Sequence, residues 1–360
     1  MTPRDIARYR LVNQQIAAKK CQEPAEVVAA LGAMQAQDYL GTLWAIGLRL
    51  PAATEAAVEN AIANRRIIRS WPLRGTLHFV AAADVHWLLE LLAPRTIAGA
   101  SLRHERYGLD KTVLARIRKL LVGALQGEQP LTRDEIYNLL ERARISVAGQ
   151  RGYHILWRMG LERVICFGGR KGKQPTYTLL DEWAPKSRPL DRDTALAELS
   201  LRYFISHGPA TLQDFVWWSG LKVTEAKAGL AMVSGQLDSV TVEDKVYWMK
   251  PEPPVLGKID STVHLLPGFD EYVLGYRDRN AVLDPADAQK IVPGGNGMFF
   301  STIVINGRVA GTWKRNIQKK KVAIDLNPFR PLRKAETRGV ELAAGRYAEF
   351  LGMAGVIGER

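Results

Sequence analysis

Three helical stretches running into a β-hairpin with a cationic tip can be read directly from residues 113–180. Val113, Leu114, Ile117, Leu120 and Leu121 recur at helical spacing. LTRDEIYNLL sets Thr132 and Glu135 at capping-box spacing, which fixes the start of a second helix. GQRGYHILWRMGLERV reads as a third, entered through a glycine turn. VICFGGRKGKQPTYTLL reads as two β runs around a loop holding Arg170, Lys171 and Lys173. This is the order of a winged helix, in which the second helix of the turn pair can enter a DNA major groove while the wing touches phosphates.

The order recurs. After the charged link APKSRPLDRD come a helix from Thr194 to Ser206, a short helix capped by Thr211 and ended by Gly220, the helix VTEAKAGLAMV and the hairpin LDSVTVEDKVYWMK. The N-terminal part follows it more loosely. Asp5 to Lys19 reads as a first helix; Val27, Val28, Leu31 and Met34 give a second and Leu40, Leu43, Trp44 and Leu48 a third. Ala56 to Ala63 reads as a fourth, before a hairpin from Ile67 to Val80, and Asp84 is placed to cap the next helix. Beyond a second link, KPEPPVLGKID, lie the β-prone runs STVHLLPGF, EYVLGY, MFFSTIVING, RVAGTW and KVAIDLNPF, then a helix from Glu336 to Leu351. The expected fold class is therefore α+β. It has three winged-helix units, at 1–105, 106–185 and 190–250, and a C-terminal element at 255–360 built from a small antiparallel barrel or sheet and a closing helix.

A chain of 360 residues exceeds one ordinary core. Its formal net charge of +13 suggests a polyanionic partner, because clustered lysine and arginine release counterions from nucleic acid. Cys21 and Cys166 are too few and too distant for a disulfide framework or a cysteine zinc site, which fits a reducing cytoplasm. The start MTPRDIARYR has no apolar signal region, and the most apolar run, FVAAADVHWLLELLAP, is too short and too polar to span a bilayer.

Several stretches could carry chemistry. In GAMQAQDYLG, Gln35 and Gln37 are two apart, which on a helix sets them about 200° from each other. Asp38 is a good N-cap for the run from Tyr39, so a break is expected there that lets both glutamines reach one cleft. The alternative is that they satisfy backbone groups at a helix end. RSWPLRGTLHFV offers Arg69, Trp71, Arg74 and His78 as DNA contacts, although Trp71 alone reads better as a buried ring and His78 alone as a structural histidine. The wing cations Arg170, Lys171 and Lys173 are expected on phosphate. KRNIQKKK, from Lys314 to Lys321, is either a phosphate contact or a solvated edge. Asp270 and Glu271 are expected to pair with Arg277 and Arg279 rather than to share a substrate, since neighbours on a strand face opposite ways. PGGNG lacks the Lys-Ser/Thr of a P-loop and reads as a turn. The six histidines form no metal signature, and neither metal nor cofactor is expected.

Taken together, Q-A-Q at Gln35–Gln37, RSWPLRGTLHFV, and LLPGFDEYVLGYRDR with the later VAGTW resemble the winged-helix DNA glycosylases of the AlkZ type, over almost the whole chain. The resemblance implies a C-shaped stack of three winged-helix units with a C-terminal β-element clasping duplex DNA. It implies a monomeric enzyme that excises N7-alkylated purines and can unhook interstrand crosslinks. The family motif is Gln-x-Gln, or Gln-x-Asp in a second branch; Gln35 and Gln37 match the glutamine form and are the implied catalytic pair. Chemically this suffices, because an N7-alkylpurine already carries positive charge and leaves without being protonated. The enzyme need only place water and stabilise an oxocarbenium-like C1′, and a preorganised amide dipole serves that purpose. The rival expectation is a non-catalytic DNA-binding protein or transcription regulator, dimeric on a palindromic site.

Overall fold

The computed structural model describes residues 1–18, 21–184, 189–251 and 262–357. The second expected link, KPEPPVLGKID, lies almost wholly outside the described residues, as do the middle of APKSRPLDRD and Lys19, the expected end of the first helix. By compactness the chain forms two units, Met1–Asn60 with Leu196–Arg360, and Ala61–Ala195. Residues 1–60 thus cluster with the distant C-terminal half rather than with the stretch that follows them.

In the unit Ala61–Ala195, helix Lys111–Leu125, strand Leu131–Thr132, helices Arg133–Arg142 and Arg151–Leu161, and strands Ile165–Lys171 and Gln174–Leu179 follow in winged-helix order. The capping box forms as expected. The Thr132 N–H donates to Glu135 Oε2 at 2.6 Å and the Glu135 N–H to Thr132 Oγ1 at 3.3 Å. Strands Ile67–Ser70 and His78–Ala81 make the expected antiparallel hairpin, and Arg69 registers with Phe167 to continue the sheet. The hairpin turn needs a left-handed pair, Arg74 at φ 53° and Gly75 at φ 70°. A side chain on Gly75 would also strike Trp157, whose indole N–H donates to the Gly75 carbonyl at 2.8 Å. Asp84 stands at the N-cap of helix Val85–Gly99, but its carboxylate accepts from the Trp87 indole instead of capping.

Helix Arg151–Leu161, the second of the turn pair, is buried along most of its circumference: Gly152, His154–Trp157 and Met159–Leu161 are all inside. Trp71 lies on Gly160 so closely that a Cβ there would sit 2.3 Å from the ring. Tyr107 stacks on His154 at 4.8 Å, and Arg158 reaches His104 Nδ1 at 3.1 Å. Burial, then the Arg158 charge, pushes the His104 imidazole down to about 4, so its ring is neutral near pH 7 beside the Arg158 guanidinium. Only Tyr153 among the helix's large apolar side chains is substantially exposed.

In the unit Met1–Asn60 with Leu196–Arg360, the first helix, Pro3–Asn13, stops short of the expected Lys19, where Gln15 turns to φ 61°. Helices Arg192–His207, Leu212–Ser219 and Val223–Val233 precede the hairpin Asp238–Val242 and Lys245–Met249. Thr211 and Gly220 cap the middle helix as expected. The hairpin turns on Glu243 and Asp244, both at positive φ, which matches the twist of its strands.

The C-terminal sheet has the order Ala354–Ile357, Lys321–Pro328, Arg308–Ile317, Thr302–Ile305, Val263–Leu266. It is antiparallel except for the first pair, which runs parallel, a correction to the all-antiparallel expectation. The parallel strand follows directly on helix Lys334–Leu351, whose crossover returns the chain in the direction of its neighbour. Trp44 joins helix to sheet. Its ring packs on Tyr347 and Phe350 at 5.1 and 5.2 Å, and its N–H donates to the Leu265 carbonyl at 2.8 Å. EYVLGY is also corrected. Residues Glu271–Leu274 form a helical turn capped by Asp270, not a strand.

Candidate functional site

Helix Pro24–Leu31 ends at Gly32, whose φ of 79° turns the chain out of the helix and against Trp218. Met34 and Gln35 are then extended, and Asp38 caps helix Tyr39–Gly47 by accepting from the Gly41 N–H. The expected break exists: past the short extended segment the chain bends at Gln37, and the two side chains meet as they could not on one helix. Gln35 Nε2 donates to Gln37 Oε1 at 3.0 Å. Gln35 is buried and Gln37 exposed, so the pair has an inner and an outer member. Among the described residues Gln35 Oε1 is buried with no hydrogen-bond partner.

The backbone of Gln35 is gripped from both sides. Its N–H donates to Glu271 Oε1 at 3.0 Å, and its carbonyl accepts from Thr42 Oγ1 at 2.8 Å. Glu271, 1% exposed, also accepts from the Trp218 indole at 3.0 Å through Oε2, which lies 3.6 Å from His207 Nε2. Burial lowers the His207 pKa against the opposing pull of Glu271, and the ring's other nitrogen meets Ser206 Oγ at 2.8 Å. The neighbouring Asp270 takes both Arg49 nitrogens, at 2.8 and 2.9 Å, in a fully buried pair. The expected pairing of Asp270 and Glu271 with Arg277 and Arg279 is thus replaced. The Arg277 N–H donates to Asp214, while Arg279 donates to the Val273 carbonyl and lies over Trp217 and Phe299. A helical turn points the two carboxylates inward to different partners, which an extended strand would not do.

Immediately after the pair, Asp38 receives Arg315 Nη2 at 2.7 and 2.9 Å. Arg315 belongs to strand Arg308–Ile317, so the basic stretch is one arm of a hairpin fastened to the glutamine segment. Lys314, Lys319, Lys320 and Lys321 are exposed on it. Sequence reasoning found neither Arg315 nor the roles of Thr42, Trp218 and Glu271. The signal was present only as the LPGFDE stretch, whose buried acids were assigned to nearby arginines.

The remaining candidates lie in the other compact unit. Arg69 is half-buried with its guanidinium 4.8 Å from the Phe167 ring centroid, and Arg74 is half-buried at the hairpin turn. Trp71 and His78 are core residues, at 2% and 0% exposure, and have no surface to offer a groove. Trp71 fills the space that Gly160 leaves and packs on Phe167 at 5.0 Å. Arg170, Lys171 and Lys173 are exposed at the wing, where Lys171 lies 3.3 Å from Glu135 in a loose ion pair. Among the described residues, no three His, Cys, Asp or Glu side chains are grouped to hold a metal, and no helix is long and apolar enough to cross a membrane.

Residues 28–350 match the family model described as DNA glycosylase AlkZ-like. A curated relative from Streptomyces sahachiroi, named interstrand DNA cross-link repair glycosylase, is 24% identical over 97% of this chain and 96% of its own. The solved structure of the Streptomyces sahachiroi DNA glycosylase AlkZ superposes with a TM-score of 0.79 at 22% identity, covering 99% of this chain and 100% of that one, which establishes the likeness of fold.

Proposed function

The chain belongs to the AlkZ-like DNA glycosylase family, and from that premise we propose that it hydrolyses the N-glycosidic bond of cationic N7-alkylpurines in duplex DNA, with Gln37 as the catalytic residue and Gln35 behind it. The observation that carries this reading is the 3.0 Å bond from Gln35 Nε2 to Gln37 Oε1. It leaves the second lone pair of the outer carbonyl and both N–H groups of its amide to meet substrate. As the purine departs with its electrons, positive charge spreads over C1′ and the ring oxygen. The Gln37 carbonyl accepts a hydrogen bond from the attacking water and turns its negative end toward that charge; as the water oxygen bonds C1′, its proton is released to solvent. No acid is required, because the leaving group is cationic beforehand, and this confines the enzyme to damaged bases.

The name of the Streptomyces sahachiroi relative supports extending the substrate to interstrand crosslinks joined through the same cationic bonds, each opened one glycosidic bond at a time. We read the three helix-and-hairpin modules as winged-helix units acting as one monomer on DNA in the cytoplasm. The hairpin cations Lys319, Lys320 and Lys321, and the wing cations Arg170, Lys171 and Lys173 with Arg69 and Arg74, then serve the phosphates. Trp71 and His78 drop out of that set on account of their burial. The regulator reading loses one support for a related reason: in the 106–185 unit the helix that would read bases is packed away, although helix Val223–Val233 keeps an exposed face.

Incubating the protein with duplex DNA carrying N7-methylguanine should release free N7-methylguanine and leave alkali-labile abasic sites. Tight DNA binding with no release above buffer would reject the proposal. Replacing Lys319, Lys320 and Lys321 together by alanine should weaken DNA binding and flatten the plot of log affinity against log salt by about 0.9 for each phosphate that is no longer neutralised. An unchanged slope would make the hairpin a solvated edge.

A further inference from the structure

We propose that Glu271 is the positioning residue of the glutamine pair: its buried carboxylate fixes the Gln35 backbone and holds a negative charge behind the amides that face the reacting sugar. The inference rests on the proposed function, in which Gln35 and Gln37 carry the reaction.

A two-residue extended segment has little to hold it. Here the Gln35 N–H is taken by a carboxylate 236 residues away, and the carbonyl by Thr42. Both bonds act on the peptide units flanking one Cα, so the direction in which the side chain leaves is set. That direction carries Nε2 to Gln37 Oε1. Without the carboxylate, Gln35 could rotate and its amide would no longer hold the outer glutamine. Putting a carboxylate at 1% exposure is costly and needs donors aimed at it. The Trp218 indole is one and the Gln35 N–H another, each on a separate oxygen. A glutamine at 271 would offer only one acceptor atom to these two donors.

The charge adds a second effect. The visible pair is neutral, whereas the transition state is a cation. An anion buried directly behind the pair lowers the energy of that cation across a weakly screening interior. The positioning effect, unlike the charge, acts only through Gln35, so the loss caused by withdrawing the carboxylate from the Gln35 N–H in Glu271→Asp, which keeps the charge, should disappear when the Gln35 side chain is removed.

The test uses the full chain and N7-methylguanine duplex under single turnover. Glu271→Gln and Glu271→Asp are compared with wild type, the aspartate keeping the charge but withdrawing it from the Gln35 N–H. Both should slow base release by about tenfold or more, with DNA affinity within about twofold of wild type. The cycle of Glu271→Asp with Gln35→Ala should be non-additive, the double variant being no slower than Gln35→Ala alone. A wild-type release rate in Glu271→Asp, or losses that multiply in the double variant, would overturn the proposal. Should Glu271→Gln not fold, Glu271→Asp and its cycle decide alone. Release at wild-type rate by Gln35→Ala, with Glu271→Asp slow, would instead reject the role of Gln35 and leave Glu271 acting by another route.

Discussion

Gln37→Ala is expected to slow release of N7-methylguanine by roughly 10²- to 10³-fold, the usual loss when one preorganised dipole is removed from a developing charge. Binding of the same duplex should change little. The Gln37 side chain is exposed and forms no part of the core, so its removal opens no core cavity and takes from the protein only the acceptor of Gln35 Nε2. Gln35→Ala should fall less far, because it deletes the support of the outer amide and not the amide itself. Measuring the single-turnover rate constant and the equilibrium affinity separately distinguishes these outcomes. Equal rates for Gln37→Ala and wild type would remove the outer glutamine from the chemistry.

The largest effect on stability should come from Asp270→Ala. It strips the partner from Arg49, which is 0% exposed and held by both carboxylate oxygens. Breaking a buried pair on one side costs about 3–5 kcal/mol, since the remaining charge stays desolvated. Arg49 retains the Gln14 and Ala45 carbonyls, which cannot neutralise it. Asp270 also caps the turn that carries Glu271, through the Tyr272 N–H at 2.9 Å. The thermal midpoint should fall by roughly 10 °C for a unit of this size. A shift near zero, with the native circular dichroism spectrum retained, would show that Arg49 finds solvent when released. Replacing both partners by apolar residues of similar volume should recover much of the loss.

What could be read from sequence follows the range of the interaction. The Thr132–Glu135 box, the Thr211 and Gly220 caps and the Asp38 break are settled within four residues, and each formed where its spacing indicated. The first helix ended early because Gln15 adopts a left-handed backbone that apolar periodicity does not signal. EYVLGY looked like a strand because its residues are aromatic and β-branched. The Asp270 cap and the burial of four successive side chains outweighed that propensity. The glutamine pair was visible as a motif, but its grip was not: Glu271 and Arg315 reach it from 236 and 277 residues away. No local pattern marks such partners.

Sealing helix Arg151–Leu161 inside its own unit has a consequence for how such an enzyme surveys a chromosome. A helix walled in by Trp71, Tyr107 and His104 presents chiefly Tyr153 to solvent and so offers base edges few side chains to be read by. On the proposed mechanism, discrimination comes instead from the lesion's own readiness to break. Indifference to text is what a patrol needs when damage can fall anywhere.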